Sequence, residues 1–259
     1  MSEATLARPV APVRDTLIMI DRGVRLSRRN VEAMITSLAL PVMLMLLFVY
    51  LFGGALATGT KYVNYVVPGV IILCAGFGAA STAISVSEDM KSGIIDRFRS
   101  MDIGGAAMIG GHVVASVVRN LVSTAVVFGV ALAIGFRPHA SALDWLGAIG
   151  LLVAFMAAIS WLAAATGLFA SSPEAANGVT FVVMFLPYAS SAFVPVSTMP
   201  SWLRGFASNQ PCTPLIEAVR SLLSGHPAGA DAGKALLWCA GILLAAIVGS
   251  ALAFRRKTA

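Results

Sequence analysis

Six runs of apolar residues, each close to the length that crosses a bilayer, constrain this chain more than any other feature. Crossing a hydrocarbon core of roughly 30 Å takes about 20 mostly apolar residues in a helix. The runs cover 34–53, 65–86, 113–136, 144–170, 178–194 and 232–254. Charge is correspondingly scarce, at 12% of residues with a mean hydropathy of +0.86, against about 25% charged in soluble domains. The expected fold is therefore an all-α polytopic membrane protein with six transmembrane helices. The first run starts too late, is too long and lacks a small-residue cleavage site, so it reads as a retained span and not as a signal peptide.

The placement of Lys and Arg orients the spans. Arg8, Arg14, Arg22, Arg25, Arg28 and Arg29 precede the first run. Lys91, Arg97 and Arg99 follow the second, and Arg255, Arg256 and Lys257 close the chain. The alternate loops carry only Lys61, Arg137, Arg204 and Arg220. The positive-inside rule then puts both termini in the cytoplasm, and a cell-membrane location follows. The net charge of +6 reports topology and calls for no nucleic-acid partner. Cys74, Cys212 and Cys239 are dispersed and outline neither a disulfide framework nor a metal site.

The chain divides into a cytoplasmic tail at 1–14, an interfacial helix at 15–33, the membrane domain at 34–254 and a basic tail at 255–259. In the second piece Leu17, Ile20, Val24 and Val31 share one helical face, and Arg22, Arg25 and Arg29 another. Such a helix can lie flat on the membrane with its arginines among lipid phosphates. Pro41, Pro68 and Pro187 sit inside runs, where membrane helices tolerate them. The small-residue stretches GFGAAS at 76–81 and AAATG at 163–167 suit close helix contact. Between the fifth and sixth runs, residues at about 199–224 are too proline-broken to span and too apolar for an ordinary loop. Two short amphipathic outer or re-entrant helices are expected there, split near 210–214, with Glu217 and Arg220 spaced to pair.

Motifs for chemistry are absent from the sequence. No G-x-x-x-x-G-K-[ST] occurs, and the glycine–lysine fragments near Lys61 and Lys234 lack its spacing and hydroxyl. His112, His139 and His226 stand apart, with no partner at metal or general-base spacing. No catalytic residue, cofactor-binding residue or metal ligand is assigned, and the chain is not expected to be an enzyme. Arg119 is the one charge well inside an apolar run, since Asp144 and Lys234 fall at run ends. It is a functional candidate by default, although a position near the end of its span would let it snorkel. Glu88 or Asp89 is its expected partner. No acidic or histidine relay runs through the spans, so the energy for any transport must enter from outside this chain.

The stretch SEDMKSGIIDRFRSMDI, residues 87–103, carries seven ionisable side chains between two apolar runs. Ile94, Ile95, Phe98 and Met101 repeat at helical spacing, while Asp96, Arg97 and Arg99 take other faces and Gly93 opens the turn. A greasy stripe with charged flanks fits a cleft on a soluble partner, and a helix at about 88–102 is expected.

This stretch resembles the cytoplasmic segment of ABC type-2 exporters of the daunorubicin-resistance membrane-subunit type, E/D-L-x-x-G-(apolar)-x-D-R-F-R-S-(apolar)-P. Gly93 to Met101 matches it well, and Asp102 stands where proline is common. Val194-Pro195, Met199-Pro200-Ser201-Trp202-Leu203 and Glu217-Ala218-Val219-Arg220 resemble a second family element, and Asn209-Gln210-Pro211 departs from its N-P by one residue.

The resemblance implies a permease that pairs with a second permease copy, a homodimer or a sister chain, and with a separate ABC ATPase that holds ATP and Mg2+. It makes Gly93, Ile94, Ile95, Asp96, Arg97, Phe98, Arg99 and Met101 the ATPase-coupling residues. Met199, Pro200, Trp202, Glu217 and Arg220 become an outer gate, and the cargo a hydrophobic or amphipathic small molecule such as a drug, antibiotic or lipid-like natural product. Export of a polysaccharide or glycolipid, and a non-transport assembly or sensor role, are the alternatives.

Overall fold

The computed structural model describes residues 17–18, 20–23, 25, 31–56, 59–92, 105–170 and 172–258. Its elements are helices throughout: α1 Val31–Leu47, α2 Tyr62–Lys91, α3 Gly105–Ala133, α4 Ala142–Phe169, α5 Pro173–Phe185, α6 Ser201–Asn209, α7 Cys212–Leu223 and α8 Gly229–Thr258. A π-helical turn, Phe48–Phe52, extends α1, and a 3-10 turn, Leu186–Ala189, extends α5. The described residues before α1, in the stretch 17–25, are also helical.

Four stretches among the described residues are long and apolar enough to cross a membrane: Tyr62–Lys91, Met108–Ala133, Ala142–Phe169 and Gly229–Leu252. They carry the second, third, fourth and sixth apolar runs and make the chain multi-pass. The first run is a shorter apolar helix, Leu38–Phe52. The fifth is not one helix. α5 stops at Phe185, Pro187 falls in the 3-10 turn, and the chain is no longer helical at Phe193 and Val194. Proline supplies no N–H to continue the α ladder.

α2 is the axis of the bundle and packs against α1, α3, α4 and α5. Of its most apolar stretch 78% is buried, against 22% in α8, which lies at the periphery on α4 and α7. Close contact is possible because small residues line the seams. A Cβ on Gly69 would stand 2.6 Å from the Ala192 backbone, and one on Gly167 2.5 Å from the Ala83 carbonyl oxygen. The small-residue stretch at 163–167 thus serves packing. Cys74, Cys212 and Cys239 are free thiols buried in it.

Two boundaries differ from expectation. α2 runs unbroken to Lys91, so Glu88–Lys91 belongs to its last turn and not to the following segment. α3 begins at Gly105 and not near Val113, because glycine-rich sequence is tolerated in membrane helices. Gly93, Ile94, Ile95, Asp96, Arg97, Phe98, Arg99 and Met101 lie outside the described residues.

Candidate functional site

The bundle has two charged ends. At the end where α2 closes, the Arg22 guanidinium donates two hydrogen bonds to the Asp89 carboxylate, at 2.8 and 3.1 Å. His112, a quarter of the way along α3, places Nε2 3.0 Å from the same carboxylate. Gly23 permits this approach, since a Cβ there would lie 2.7 Å from the Ala115 Cβ of α3. Three segments therefore meet on one carboxylate. The meeting corrects one expectation: His112 has a partner that its spacing in the sequence did not reveal. Arg25 instead pairs with Asp21 on its own exposed turn.

At the other end, the expected pair of short helices is present as α6 and α7, divided at Gln210 and Pro211. Gln210 is 4% exposed. Its Nε2 donates to the Leu186 carbonyl at 3.1 Å, and its Oε1 accepts from the Cys212 N–H at 3.2 Å. The cap is thereby tied to the break after α5. α7 buries Leu215, Ile216, Ala218, Val219 and Leu223. It ends at Gly225, whose φ of +74° only glycine adopts freely. Beside that turn, the His139 N–H donates to the Leu223 carbonyl at 2.9 Å and holds the loop before α4. Ser141 and Asp144 close a capping box at the α4 start.

Arg220 anchors this cap. Its Nε donates to the Tyr65 carbonyl at 3.1 Å and its terminal nitrogen to the Ser191 carbonyl at 2.7 Å. The guanidinium carbon sits 3.8 Å from the Tyr65 ring centroid, and Glu217 completes an ion pair at 2.7 Å. The pairing expected from the three-residue spacing is present. Of the other proposed gate residues, Met199 is buried while Pro200 and Trp202 are exposed, Trp202 at 79%. Arg204 holds their loop by donating to the Ser197 and Met199 carbonyls at 2.9 and 3.1 Å.

Arg119 lies midway along α3. Its terminal nitrogen donates at 3.0 Å to the Gly78 carbonyl and at 3.0 Å to Thr82 Oγ1, both inside α2. Neither Glu88 nor Asp89, the expected partners, is among these described contacts. Asn120 beside it is 1% exposed, and neither polar atom of its amide has a hydrogen-bond partner among the described residues. Ser116 and Ser160 bond to each other at 2.9 Å across α3 and α4. A polar stripe thus runs down the buried face of α3. Among the described residues no group of three or more His, Cys, Asp or Glu is placed to hold a metal ion.

The model of the ABC-2 type transporter family matches residues 14–224. The chain is 31% identical over 233 residues to the daunorubicin resistance ABC transporter permease protein DrrB1 of Streptomyces coeruleorubidus, covering 89% of this chain and 82% of that one. It is 25% identical over 248 residues to the probable doxorubicin resistance ABC transporter permease protein DrrC of Mycobacterium tuberculosis, covering 95% and 90%. The matched region takes in the Arg22–Asp89–His112 junction, the stretch 87–103 and the whole α6–α7 cap.

Proposed function

Since the chain belongs to the ABC-2 type transporter family, we propose that it is the membrane subunit of an ATP-driven exporter of hydrophobic or amphipathic compounds. The drugs named in its relatives' descriptions support that cargo class. In this reading the chain crosses six times, through α1 with its π turn, α2, α3, α4, α5 with its 3-10 turn, and α8. Both termini and the Asp89 end face the cytoplasm, as the basic residues require. Two permease copies form the membrane body. ATP and Mg2+ belong to a separately encoded ATPase, and this chain holds no nucleotide.

The ATPase meets the segment Gly93 to Met101, with Ile94, Ile95, Phe98 and Met101 entering a cleft and Asp96, Arg97 and Arg99 fixing the orientation. One observation carries the reading. The last turn of α2, which leads into this segment, contains Asp89, which Arg22 and His112 fasten to the amino-terminal helix and to α3. A push on the segment would therefore reach α2, α3 and the amino-terminal helix together. At the far end Met199, Pro200, Trp202, Glu217 and Arg220 form the exit cap, and Arg119 with its polar stripe is the element inside the membrane that responds.

The test is co-purification of tagged protein from native membranes in mild detergent, with wild type and Phe98→Asp side by side. A P-loop ATPase that follows the wild type and is lost from the folded variant supports the reading. A folded wild type that brings no ATPase overturns it. Coupling that survives Phe98→Asp overturns the assignment of the segment alone.

A further inference from the structure

Beside the α6–α7 cap lies an open groove of about 420 Å³ that the exporter reading leaves without a role. Ser208, Asn209 and Pro214 form one wall, and Lys234, Leu237 and Trp238 of α8 the other. On α8, Lys234 and Trp238 are four residues apart and so stand one above the other. The cation sits nearer the helix start, which begins at Gly229, and the indole and Leu237 lie deeper. Polarity therefore changes along the groove in the order that a membrane boundary has, with tryptophan at the level of lipid headgroups.

The apolar side of the groove continues down the membrane face of α8. Leu237, Gly241, Leu244 and Val248 recur at spacings of four, three and four, which makes one stripe. Leu237 is 76% exposed, Leu244 63% and Val248 57%. Gly241 interrupts the stripe with a notch, since a Cβ added there would meet nothing within 4 Å. A cation with hydrogen-bonding neighbours above, an aromatic wall beside and a notched apolar track below are complementary to a charged amphiphile with a long chain.

We propose that this groove binds a phospholipid, with its phosphate at Lys234 and an acyl chain along Leu237, Gly241, Leu244 and Val248. Lys234 is held 3.3 Å from Asp231, a contact long enough to yield one of its three N–H groups to phosphate. Asn209 donates one amide hydrogen to the Gly205 carbonyl at 2.8 Å and keeps a second for a ligand. Phosphate alone would use only the upper half of the groove. The two-part form is what selects a lipid. The inference needs only that α8 spans a bilayer and stands apart from the identity of any exported compound.

Native mass spectrometry of delipidated protein, titrated with phosphatidylglycerol in detergent, reads the site. The expected result is one tightly held lipid per chain, with affinity falling about tenfold in Lys234→Gln and by a similar factor in Gly241→Leu. The second variant fills the notch with a side chain that the open space accommodates. Equal lipid binding by wild type and both variants would overturn the proposal. Inorganic phosphate that competes fully and binds Gly241→Leu as well as wild type would reduce the groove to an anion site and overturn the lipid assignment. A photo-reactive side chain at Leu237, used in intact membranes, separates the remaining occupant. Adducts to lipid are expected, and adducts to a second copy of the chain would show that the face is a subunit contact instead.

Discussion

The two charged junctions at opposite ends of α2 are built from different materials. At the Tyr65 end, Arg220 is held by two backbone carbonyls, an aromatic face and a carboxylate three residues away on its own helix. The Tyr65 carbonyl belongs to a packed helix and the Ser191 carbonyl to a buried turn, so this junction does not rearrange without local unfolding. At the Asp89 end the contacts from Arg22 and His112 join side chain to side chain, across 67 and 23 residues. Such contacts can open and re-form while each helix stays intact. A transporter moved from one end would need this division between a rigid cap and a releasable clasp.

Arg220→Ala should produce the largest loss of stability. It leaves two carbonyls without their donor, Glu217 without its partner and a cavity beside Tyr65. The pair is only part-buried, and the cost rests on the hydrogen bonds from a charged group to two carbonyls, about 1.5–3 kcal/mol each, to be read as a fall in melting temperature in detergent. Arg220→Lys should recover only part, because one ammonium cannot reproduce a planar fork that spans two carbonyls and stacks on a ring. A variant as stable as wild type would remove the fixed half of the comparison.

Asp89→Asn should cost less, about 1.5–3 kcal/mol, the worth of hydrogen bonds to a charged group, and should depress transport more than stability. A double-mutant cycle with Arg22→Gln isolates the pair, and a coupling of about 1–2 kcal/mol is expected. Zero coupling, with transport intact in Asp89→Asn, would mean that the clasp transmits nothing.

Between the ends, α2 and α3 meet where Gly78 faces Asn120. A Cβ on Gly78 would fall 1.5 Å from Asn120 Oδ1, so Gly78→Ala should destabilise by about 1–2 kcal/mol through forced separation of the helices. Combining it with Asn120→Ala removes both the clash and an amide without partners. The double variant should melt above Gly78→Ala, and failure to do so would place the strain elsewhere.

Much of the bundle was legible because length and apolarity are local properties. The fourth and sixth runs agree closely with α4 and α8, the second run agrees with α2 except for its last turn, and the Gln210–Pro211 break and the Glu217–Arg220 pair are also local. What escaped the sequence was contact between distant residues. His112 looked solitary because its partner lies 23 residues away on another helix. Arg119 looked close to a span end because the third apolar run starts at residue 113, whereas α3 starts at Gly105 and carries the guanidinium to Gly78 and Thr82. The fifth run hid a break at Pro187, since composition alone does not separate a tolerated kink from a helix end.

The smallest expected change in stability is the most selective probe of the fixed end. Trp202 is 79% exposed and begins α6 together with Ser201, so Trp202→Ala should shift stability by no more than about 0.5 kcal/mol. Its indole sits on the first turn of the cap, and the Arg204 contacts to Ser197 and Met199 hold that turn in place without it. Loss of the indole therefore leaves the architecture of the cap and changes only what the cap presents. If the cap is an exit, drug efflux from loaded vesicles should slow in Trp202→Ala while its melting temperature stays at the wild-type value. Unchanged efflux would make the cap a passive lid, with its rigidity explained by closure of the bundle alone.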